Sequence, residues 1–162
     1  MTGRLAVVGL GPGDAALVTP EVAAALAEAT AAYGYKPYLD RVADRPGLVK
    51  HASDNREEIA RASAALDAAS AGERVVVVSG GDPGVFAMAA AVCEAIEHGP
   101  AAWRTLDVTV LPGVTAMLAL AARVGAPLGH DFCALSLSDN LKPWETVERR
   151  LAAAAGAGFA IA

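Results

Sequence analysis

Three glycine-rich segments carry the residues of this chain whose types and spacing could do chemistry. The segments are GLGPGD (9–14), SGGDPGV (79–85) and LPGVTA (111–116). Asp14, Asp82 and Thr115 supply polar side chains there, and none of the segments contains a lysine, an arginine or a histidine. Glycine lets the backbone approach a ligand closely. The segments therefore favour a ligand that is neutral or cationic near them, such as a sulfonium nucleoside with an α-ammonium group.

The first segment is similar to a phosphate-binding loop but lacks its essential parts. A dinucleotide fingerprint needs glycines at G-x-G-x-x-G spacing and a helix that begins inside the loop. Here Asp14 occupies the position of the third glycine, the next helix signal comes at Thr19-Pro20, and no Gly-Lys-Ser/Thr follows. A phosphate would meet a carboxylate and no helix N-terminus, which argues against nucleoside polyphosphates and against a nicotinamide enzyme.

Short apolar runs alternate with alanine-rich helical patterns along the chain. They predict strands at 4–10, 30–35, 74–80, 107–113 and 132–138, and helices at 19–29, 54–72, 85–99, 115–125 and from Pro143 onward. The polar segment 36–51 is predicted to be irregular. The alternation is typical of an α/β fold with a mainly parallel sheet, in which the carboxyl ends of the strands share one edge. Each glycine-rich segment follows a strand and is expected at that edge.

Composition and charge limit the class of protein. The chain has 162 residues, is 54% hydrophobic and carries a net charge of −5, which is unlike a disordered chain and offers little basic excess for nucleic acid. No uncharged run is long enough for a membrane span or a signal peptide. Cys93 and Cys133 lack the spacing of a metal site and are predicted to be buried thiols. These features predict a cytoplasmic protein with no metal site and no nucleic-acid or membrane partner.

Longer segments around these loops resemble the tetrapyrrole methylase family. The resemblance is carried by GLGPGD, SGGDPGVFAMA and LPGVTAMLALAARVGAPLGHDF. YGYKPYLDRV and GHDFCALSLSDNLKPWETVERRL are similar to the members that methylate carbon 17 of a precorrin and contract its ring in cobalamin biosynthesis. The resemblance implies an S-adenosylmethionine-dependent C-methyltransferase that acts on a tetrapyrrole and forms a homodimer. Methylation of another precorrin carbon, or a non-catalytic fragment, is the alternative.

The resemblance also implies two α/β domains with the methyl donor in the cleft between them. The first domain would span 1–112, and the second would begin at 113. Because 158–162 is similar to the start of a buried strand, the second domain is expected to continue beyond Ala162, so that the chain is only the first part of such an enzyme. One departure from the family pattern is Gly80, where a serine is expected.

The resemblance assigns candidate site residues one by one. The donor contacts would be Pro12, Gly80, Gly81, Asp82, Val85, Thr115 and Ala116, and the macrocycle would face Tyr35, Lys36 and Tyr38. Methyl transfer needs alignment of two carbons rather than a nucleophilic side chain, whereas ring contraction needs proton transfer. Candidates for that acid or base are Asp14, His51, His130 and Asp139, although Asp14, His130 and Asp139 could instead be ordinary turn residues. A cluster of cations is expected to form a rim for substrate carboxylates, or else a solvated face: Lys36, Arg41, Arg45, Lys50, His51 and Arg56.

Overall fold

A computed structural model describes residues 3–138 and 142–162 of the chain. The chain divides into two compact units, Met1–Ala116 and Met117–Ala162, each with its own internal contacts. Within the described ranges, no helix is both long enough and apolar enough to cross a membrane.

The first unit is built on a sheet of five strands. The strands are β1 (Arg4–Gly9), β2 (Ala31–Tyr35), β3 (Val49–Ser53), β4 (Arg74–Ser79) and β5 (Asp107–Leu111). Their order in the sheet is β3-β2-β4-β1-β5. All neighbouring pairs are parallel, so the carboxyl ends of the five strands lie along one edge.

Helices connect these strands and begin and end at local sequence signals. They are α1 (Pro20–Glu28), α2 (Lys36–Leu39), α3 (Glu58–Ser70) and α4 (Met88–His98), with 3-10 turns at Ala15–Leu17 and Ala101–Thr105. The Thr19 hydroxyl accepts a hydrogen bond from the Val22 N–H at 3.3 Å and caps α1. Gly72 follows α3 with a φ of 99°, a conformation that glycine adopts readily at a helix end. The predicted helices at 19–29 and 54–72 are therefore confirmed, although α3 begins only at Glu58.

The apolar runs of the strands are buried on both faces of the sheet. Val75 and Val77 of β4 pack in one buried cluster with side chains of α3 and α4. Val76 and Val78 pack in a second cluster with side chains of α1 and α2. Successive side chains of a strand point to opposite faces, so a strand that is covered on both sides needs an uninterrupted apolar run. This packing confirms the predicted α/β fold with a parallel sheet.

The chain leaves β1 and β4, which are neighbours in the sheet, toward opposite faces. Val22 of α1, which follows β1, packs in the second cluster, whereas Val92 of α4, which follows β4, packs in the first. Such a divergence opens a crevice outside the carboxyl ends of the two strands, where open α/β sheets bind their ligands. The first two glycine-rich segments directly follow these strands and therefore border the crevice.

The segment 36–51 is not irregular throughout, contrary to the prediction. It contains α2 and the beginning of β3. β3 is an edge strand with the sequence VKHAS, and the His51 ring stacks on Tyr33 of β2 with the ring centroids 4.4 Å apart. An edge strand of this kind is partly exposed, so its apolar signal is too weak for periodicity to detect.

Cys93 corrects another sequence-based expectation. Its side chain is exposed, and Cys133 is half-buried, so the prediction that both thiols are buried is wrong. The neighbouring Val92 and Ala95 lie on the face of α4 that enters the core. Cys93 falls on the outward face of the same helix because a helix at the surface of a domain buries only one stripe of side chains.

The second unit is smaller. It contains all of α5 (Ala116–Val124) except its first residue, and β6 (Phe132–Cys133), α6 (Trp144–Gly156) and β7 (Ala160–Ile161). β6 and β7 are parallel, with Phe132 opposite Ala160 and Cys133 opposite Ile161. Pro143 is the N-cap of α6, as expected from its position before the helical pattern. β6 is shorter than the predicted strand at 132–138.

Candidate functional site

Three glycines bring the three glycine-rich loops into direct contact. We call the loops loop 1 (9–14), loop 2 (79–85) and loop 3 (111–116). An ideal Cβ built on Gly113 would lie 2.4 Å from the Gly81 carbonyl oxygen, and one built on Gly9 would lie 2.5 Å from the same oxygen. Both distances are far below van der Waals contact. The backbones therefore touch at Gly9, Gly81 and Gly113, the glycine junction, where no side chain fits.

Main-chain hydrogen bonds hold loop 1 to loop 2. The Gly11 N–H donates to the Gly81 carbonyl at 3.2 Å, and the Gly81 N–H donates to the Gly11 carbonyl at 2.9 Å. The Leu10 N–H also donates to the Ser79 carbonyl at 2.9 Å. Gly11 and Gly81 have φ values of 66° and 63°, which only glycine adopts without strain. Beyond the ends of the parallel strands β1 and β4, the two loops are thus joined by an isolated antiparallel bridge.

The carboxylate of Asp82 joins loop 2 to loop 3. One oxygen, Oδ1, accepts a hydrogen bond from the Gly84 N–H at 2.8 Å. The other, Oδ2, accepts one from the Gly113 N–H at 3.0 Å. The Asp82 carbonyl also accepts from the Val85 N–H at 3.2 Å and closes the turn. Main-chain N–H groups therefore bind both carboxylate oxygens of Asp82, a residue that is expected to contact the methyl donor.

Asp14 organises the exit from loop 1. Its Oδ1 accepts a hydrogen bond from the Ala16 N–H at 2.9 Å and caps the 3-10 turn Ala15–Leu17. Its side chain is exposed to solvent. The sequence leaves two interpretations of Asp14 open, a catalytic acid or base and an ordinary turn residue. The hydrogen bond to Ala16 is that of a turn residue, and the carboxylate is still accessible to solvent.

The other residues expected to contact the donor lie on the same edge of the sheet. Their exposure differs: Pro12 and Ala116 are exposed, whereas Gly80, Val85 and Thr115 are half-buried. An ideal Cβ on Gly81 would lie 3.6 Å from the Ala116 nitrogen and 3.8 Å from the Thr115 Cα, so loops 2 and 3 run side by side there. The fold thus gathers the seven expected donor residues around the glycine junction.

Tyr38 of α2 packs directly on loop 2. An ideal Cβ on Gly80 would lie 2.8 Å from Cε1 and 2.9 Å from Cζ of Tyr38. Tyr35 meets Tyr38 edge to face, with ring centroids 5.6 Å apart. The missing side chain at Gly80, where the sequence departs from the expected serine, therefore leaves the space that the Tyr38 ring uses.

The predicted rim of cations is not open to a ligand at several of its positions. Lys36 forms an exposed ion pair with Asp40, with Nζ and Oδ2 2.8 Å apart. Lys50 pairs with Asp44 at 2.6 Å. Arg45 donates to main-chain oxygens at the end of α1. Arg45 and Lys50 are half-buried and are held by oxygens of the chain itself, so at these two positions the expectation of a substrate-facing cation is wrong.

A groove of about 670 Å³ lies at the opposite edge of the sheet, where the strands begin. Three of the residues that line it are Arg4, Arg45 and Arg74. Arg74 Nε donates to the Glu28 carbonyl at 2.7 Å, and Arg4 pairs with the Glu28 carboxylate. Cations at a helix C-terminus satisfy its last carbonyls and complement its dipole. The arginines of this groove therefore cap α1.

The candidate acids and bases come from different parts of the chain, and of them only Asp14 belongs to a glycine-rich loop. His130 belongs to the second unit and is exposed two residues before β6, and Asp139 lies outside the described residues. His51 lies in β3, which two strands separate from β1, and its stacking partner Tyr33 has a pKa that burial raises. Among residues 3–138 and 142–162, no group of three or more His, Cys, Asp or Glu side chains could hold a metal ion.

Sequence analysis does not identify two residues near loop 2, Phe86 and Arg61, as unusual. Phe86 has a φ of 52°, which is rare outside glycine, and 65% of it is exposed. Arg61 is buried; it donates from Nε to the Ser53 hydroxyl at 2.7 Å and from Nη1 to the Met88 sulfur at 3.2 Å. Burial lowers the pKa of Arg61, and nearby carboxylates oppose that change. Periodicity carries no signal for a strained backbone or for a buried arginine.

A match to a family model shows which family the chain belongs to. The model described as Tetrapyrrole (Corrin/Porphyrin) Methylases matches residues 4–162, from β1 through β7. The chain belongs to this family. The match includes all three glycine-rich loops, and it confirms the resemblance that their sequences indicate.

Relatives within the tetrapyrrole methylase family include enzymes of cobalamin synthesis. The chain is 66% identical to a precorrin-3B C(17)-methyltransferase of Sinorhizobium sp., over 100% of this chain and 64% of that protein. It is 42% identical to a probable cobalt-factor III C(17)-methyltransferase of Salmonella typhimurium, over 97% of this chain and 64% of that protein. The chain thus spans about 64% of the length of both relatives.

Solved structures of methyltransferases have the same fold. A crystal structure of the methyltransferase CobJ matches with a TM-score of 0.94 and 60% identity, over 98% of this chain and 66% of that one. A uroporphyrin-III C-methyltransferase of Thermus thermophilus, complexed with S-adenosylhomocysteine, matches with a TM-score of 0.63 and 31% identity, over 83% of this chain and 56% of that one. The ligand of the second structure is the demethylated form of S-adenosylmethionine.

We expect Gly113→Ala to lower the free energy of unfolding of the first unit by about 3 kcal/mol, the upper end of overpacking penalties, because the new methyl group would collide with main-chain atoms. The matched control is Gly129→Ala, since an ideal Cβ on Gly129 has nothing within 4 Å. Urea denaturation measures both changes. Equal stability of the two variants would contradict the glycine junction.

We expect Asp82→Asn to destabilise the first unit by about 1–3 kcal/mol, because the amide retains one acceptor oxygen and turns an NH₂ group toward a main-chain donor. Asp107→Asn is the control, since Asp107 is exposed at the start of β5 and has no side-chain hydrogen bond to any described residue. Thermal unfolding compares the two. An Asp82→Asn variant as stable as the control would exclude the bridge between loops 2 and 3.

We expect Gly80→Ala and Tyr38→Ala to be coupled in a double-mutant cycle. In the natural background the new Cβ must push the Tyr38 ring aside, whereas in the Tyr38→Ala background the space is empty. The cost of Gly80→Ala should therefore fall by about 1 kcal/mol in the second background, as for other residues in contact. Urea denaturation of the four proteins gives the coupling, and simple additivity would show that the ring does not rest on loop 2.

Proposed function

We propose that this chain carries the methyl-donor site of an S-adenosylmethionine-dependent C-methyltransferase that acts on a precorrin in cobalamin biosynthesis. The observation that carries the proposal is the meeting of three cation-free glycine loops at the crevice between β1 and β4. Membership of the tetrapyrrole methylase family supports it. Because the chain spans about 64% of its relatives' length, the activity of the whole enzyme is part of the proposal.

The loops fit a sulfonium nucleoside better than a phosphate ester. A phosphate needs main-chain N–H groups at a helix N-terminus or a cation. Here the N–H groups of Gly11, Gly81 and Gly113 are used between the loops, and loops 1 and 2 contribute carboxylates. The exposed Pro12 and Ala116 and the half-buried Val85 and Thr115 offer apolar surface and main-chain groups. These residues would hold the donor.

The protein's part in methyl transfer is orientation. S-adenosylmethionine supplies a methyl group on a positively charged sulfur, and its thioether product needs no proton. No nucleophilic side chain is required, so the loops have to hold the donor rigidly against the acceptor carbon. Such alignment contributes several kcal/mol, roughly 7–11 in the best cases. The rigidity that this task requires is provided by the Asp82 bridge and the Gly11–Gly81 pairing.

We assign the macrocycle side of the site to Tyr35, Lys36 and Tyr38. Tyr38 rests on Gly80 of loop 2, so a substrate that contacts α2 lies next to the donor loops. Lys36 is exposed, and its ion pair with Asp40 is of the surface type that exchanges partners at little cost. It can therefore turn to a substrate carboxylate.

Ring contraction requires proton transfer, and three candidates lie in the described residues: Asp14, His130 and His51, whose ring stacks on Tyr33. Asp14 is exposed next to Pro12 and retains one carboxylate oxygen beyond the cap that it forms with Ala16. His130 is exposed, and its imidazole can either accept or donate a proton. Asp139 remains a candidate from sequence alone.

The proposed substrate is a cobalt-free precorrin. The identity is 66% to a precorrin-3B methyltransferase and 42% to a probable cobalt-factor III methyltransferase. The whole enzyme would therefore methylate carbon 17 of precorrin-3B and contract its ring. The second candidate is methylation of another precorrin carbon, which membership of the family leaves open. We also propose a cytoplasmic homodimer without a nucleic-acid partner, in keeping with two free thiols and a net charge of −5.

Calorimetric titration of this chain with S-adenosylhomocysteine tests the donor site, with NAD as the control ligand. We expect a dissociation constant between about 1 μM and 1 mM for the former, the usual range for enzyme substrates, and no heat with NAD. Binding of NAD alone would overturn the proposal, and binding of neither ligand would exclude a donor site in this chain. A positive result is followed by an assay of methyl transfer to precorrin-3B, with mass spectrometry of the product.

A further inference from the structure

We propose that Arg41 is a positioning residue that fixes loop 1 in the conformation that presents Pro12 to the methyl donor. The inference deepens the proposed function and depends on it. The family resemblance assigns no individual role to this residue, which sequence analysis groups with the cations of a substrate rim. Its side chain instead binds main-chain oxygens of loop 1.

The guanidinium of Arg41 reaches three main-chain oxygens of one short loop. Nη1 donates to the Gly11 carbonyl at 3.0 Å. Nη2 donates to the Leu10 carbonyl and, at 3.4 Å, to the Gly13 carbonyl. The carbonyls on both sides of Pro12 are therefore held by a single side chain.

Loop 1 needs such a restraint from outside. Gly11 and Gly13 have φ values of 66° and 156°, and glycine loses more conformational freedom on folding than any other residue. Pro12 has no N–H, and its ring is exposed, so neither hydrogen bonding nor burial of Pro12 fixes the loop. Pairing with loop 2 holds Gly11, while Arg41 extends the restraint across Pro12 to Gly13.

Arg41 also connects loop 1 to the helix that is proposed to face the macrocycle. It lies two residues after α2, and its main-chain N–H donates to the Tyr38 carbonyl at 3.1 Å. The Gly11 carbonyl that it holds accepts a second hydrogen bond from the Gly81 N–H. One residue thus joins α2, loop 1 and loop 2, which are the elements that must hold substrate and donor at a fixed distance.

The chemistry of the contact explains why this residue is an arginine. A guanidinium offers five donors in a rigid planar fork, so one group can serve several carbonyls, whereas a lysine ammonium is a compact point charge on a flexible chain. Among the described residues, no carboxylate pairs with Arg41. Its charge is therefore directed to the carbonyl dipoles of loop 1, and hydrogen bonds to a charged donor are the stronger kind.

The variants that test the proposal are Arg41→Gln, which removes the charge and most donors, and Arg41→Lys, which keeps the charge without the fork. Arg123→Gln is the control, because Arg123 is exposed near the end of α5 and its side chain has no hydrogen bond to any described residue. Two quantities are measured for each protein: the affinity for S-adenosylhomocysteine by calorimetry, and the hydrogen exchange of peptides that cover loop 1 and α3.

We expect Arg41→Gln to weaken binding about tenfold, which corresponds to the loss of one strong hydrogen bond, and Arg41→Lys to have an intermediate effect. Exchange in loop 1 should become faster, whereas α3 and the unfolding midpoint stay as in the natural chain. Arg123→Gln should bind like the natural chain.

Each other outcome counts against one specific claim. Natural affinity in Arg41→Gln would overturn the positioning role. Faster exchange in α3 as well as in loop 1 would reduce Arg41 to a general stabilising residue. Absence of binding by the unaltered chain would overturn the proposed function instead; the exchange of loop 1 alone would then decide whether Arg41 orders the loop.

Discussion

The close approach of Gly9, Gly81 and Gly113 is the constraint on which the rest of the first unit depends. Three main-chain segments can meet at these distances only if no side chain stands between them. Two-sided burial of β1 and β4 brings the strand ends to this point, and the Asp82 carboxylate and the Gly11–Gly81 pair then hold the loops there. Everything that borders the crevice takes its position from this contact.

In a site assembled in this way, most polar groups form hydrogen bonds with other groups of the same site. N–H groups of loops 1 and 2 donate to carbonyls of the opposite loop. The Asp82 carboxylate accepts from loops 2 and 3, and Arg41 donates to loop 1. Few polar groups are left to react with a ligand, and the crevice instead offers a fixed shape. This arrangement suits a reaction whose barrier depends on the alignment of two carbon atoms, and it would suit poorly a hydrolysis that needs an activated nucleophile.

Much of the fold was predictable because its signals are local. The four valines at 75–78 indicate a strand covered on both faces, and Thr19-Pro20 and Gly72 mark helix ends within a few residues of where they occur. The glycine loops were expected at one sheet edge for the same reason. What escaped prediction depends on contacts between distant segments: the edge strand β3, the burial of Arg61, and the use of Asp82 and Arg41 to tie loops together.

The strand order has a consequence for how the chain acquires this structure. β2 pairs with its near neighbour β3, Ala31 opposite Val49, but β1 pairs with β4 and β5, Arg4 opposite Arg74 and Asp107. As the chain emerges from the ribosome, β1 therefore has no partner until the valine strand arrives and inserts between β1 and β2. Pairing over such sequence distances is slow and leaves apolar strands exposed in the meantime. The crevice beside β1 and β4 is thus completed late, and a variant that delays β4 would leave apolar strands exposed to aggregation for longer.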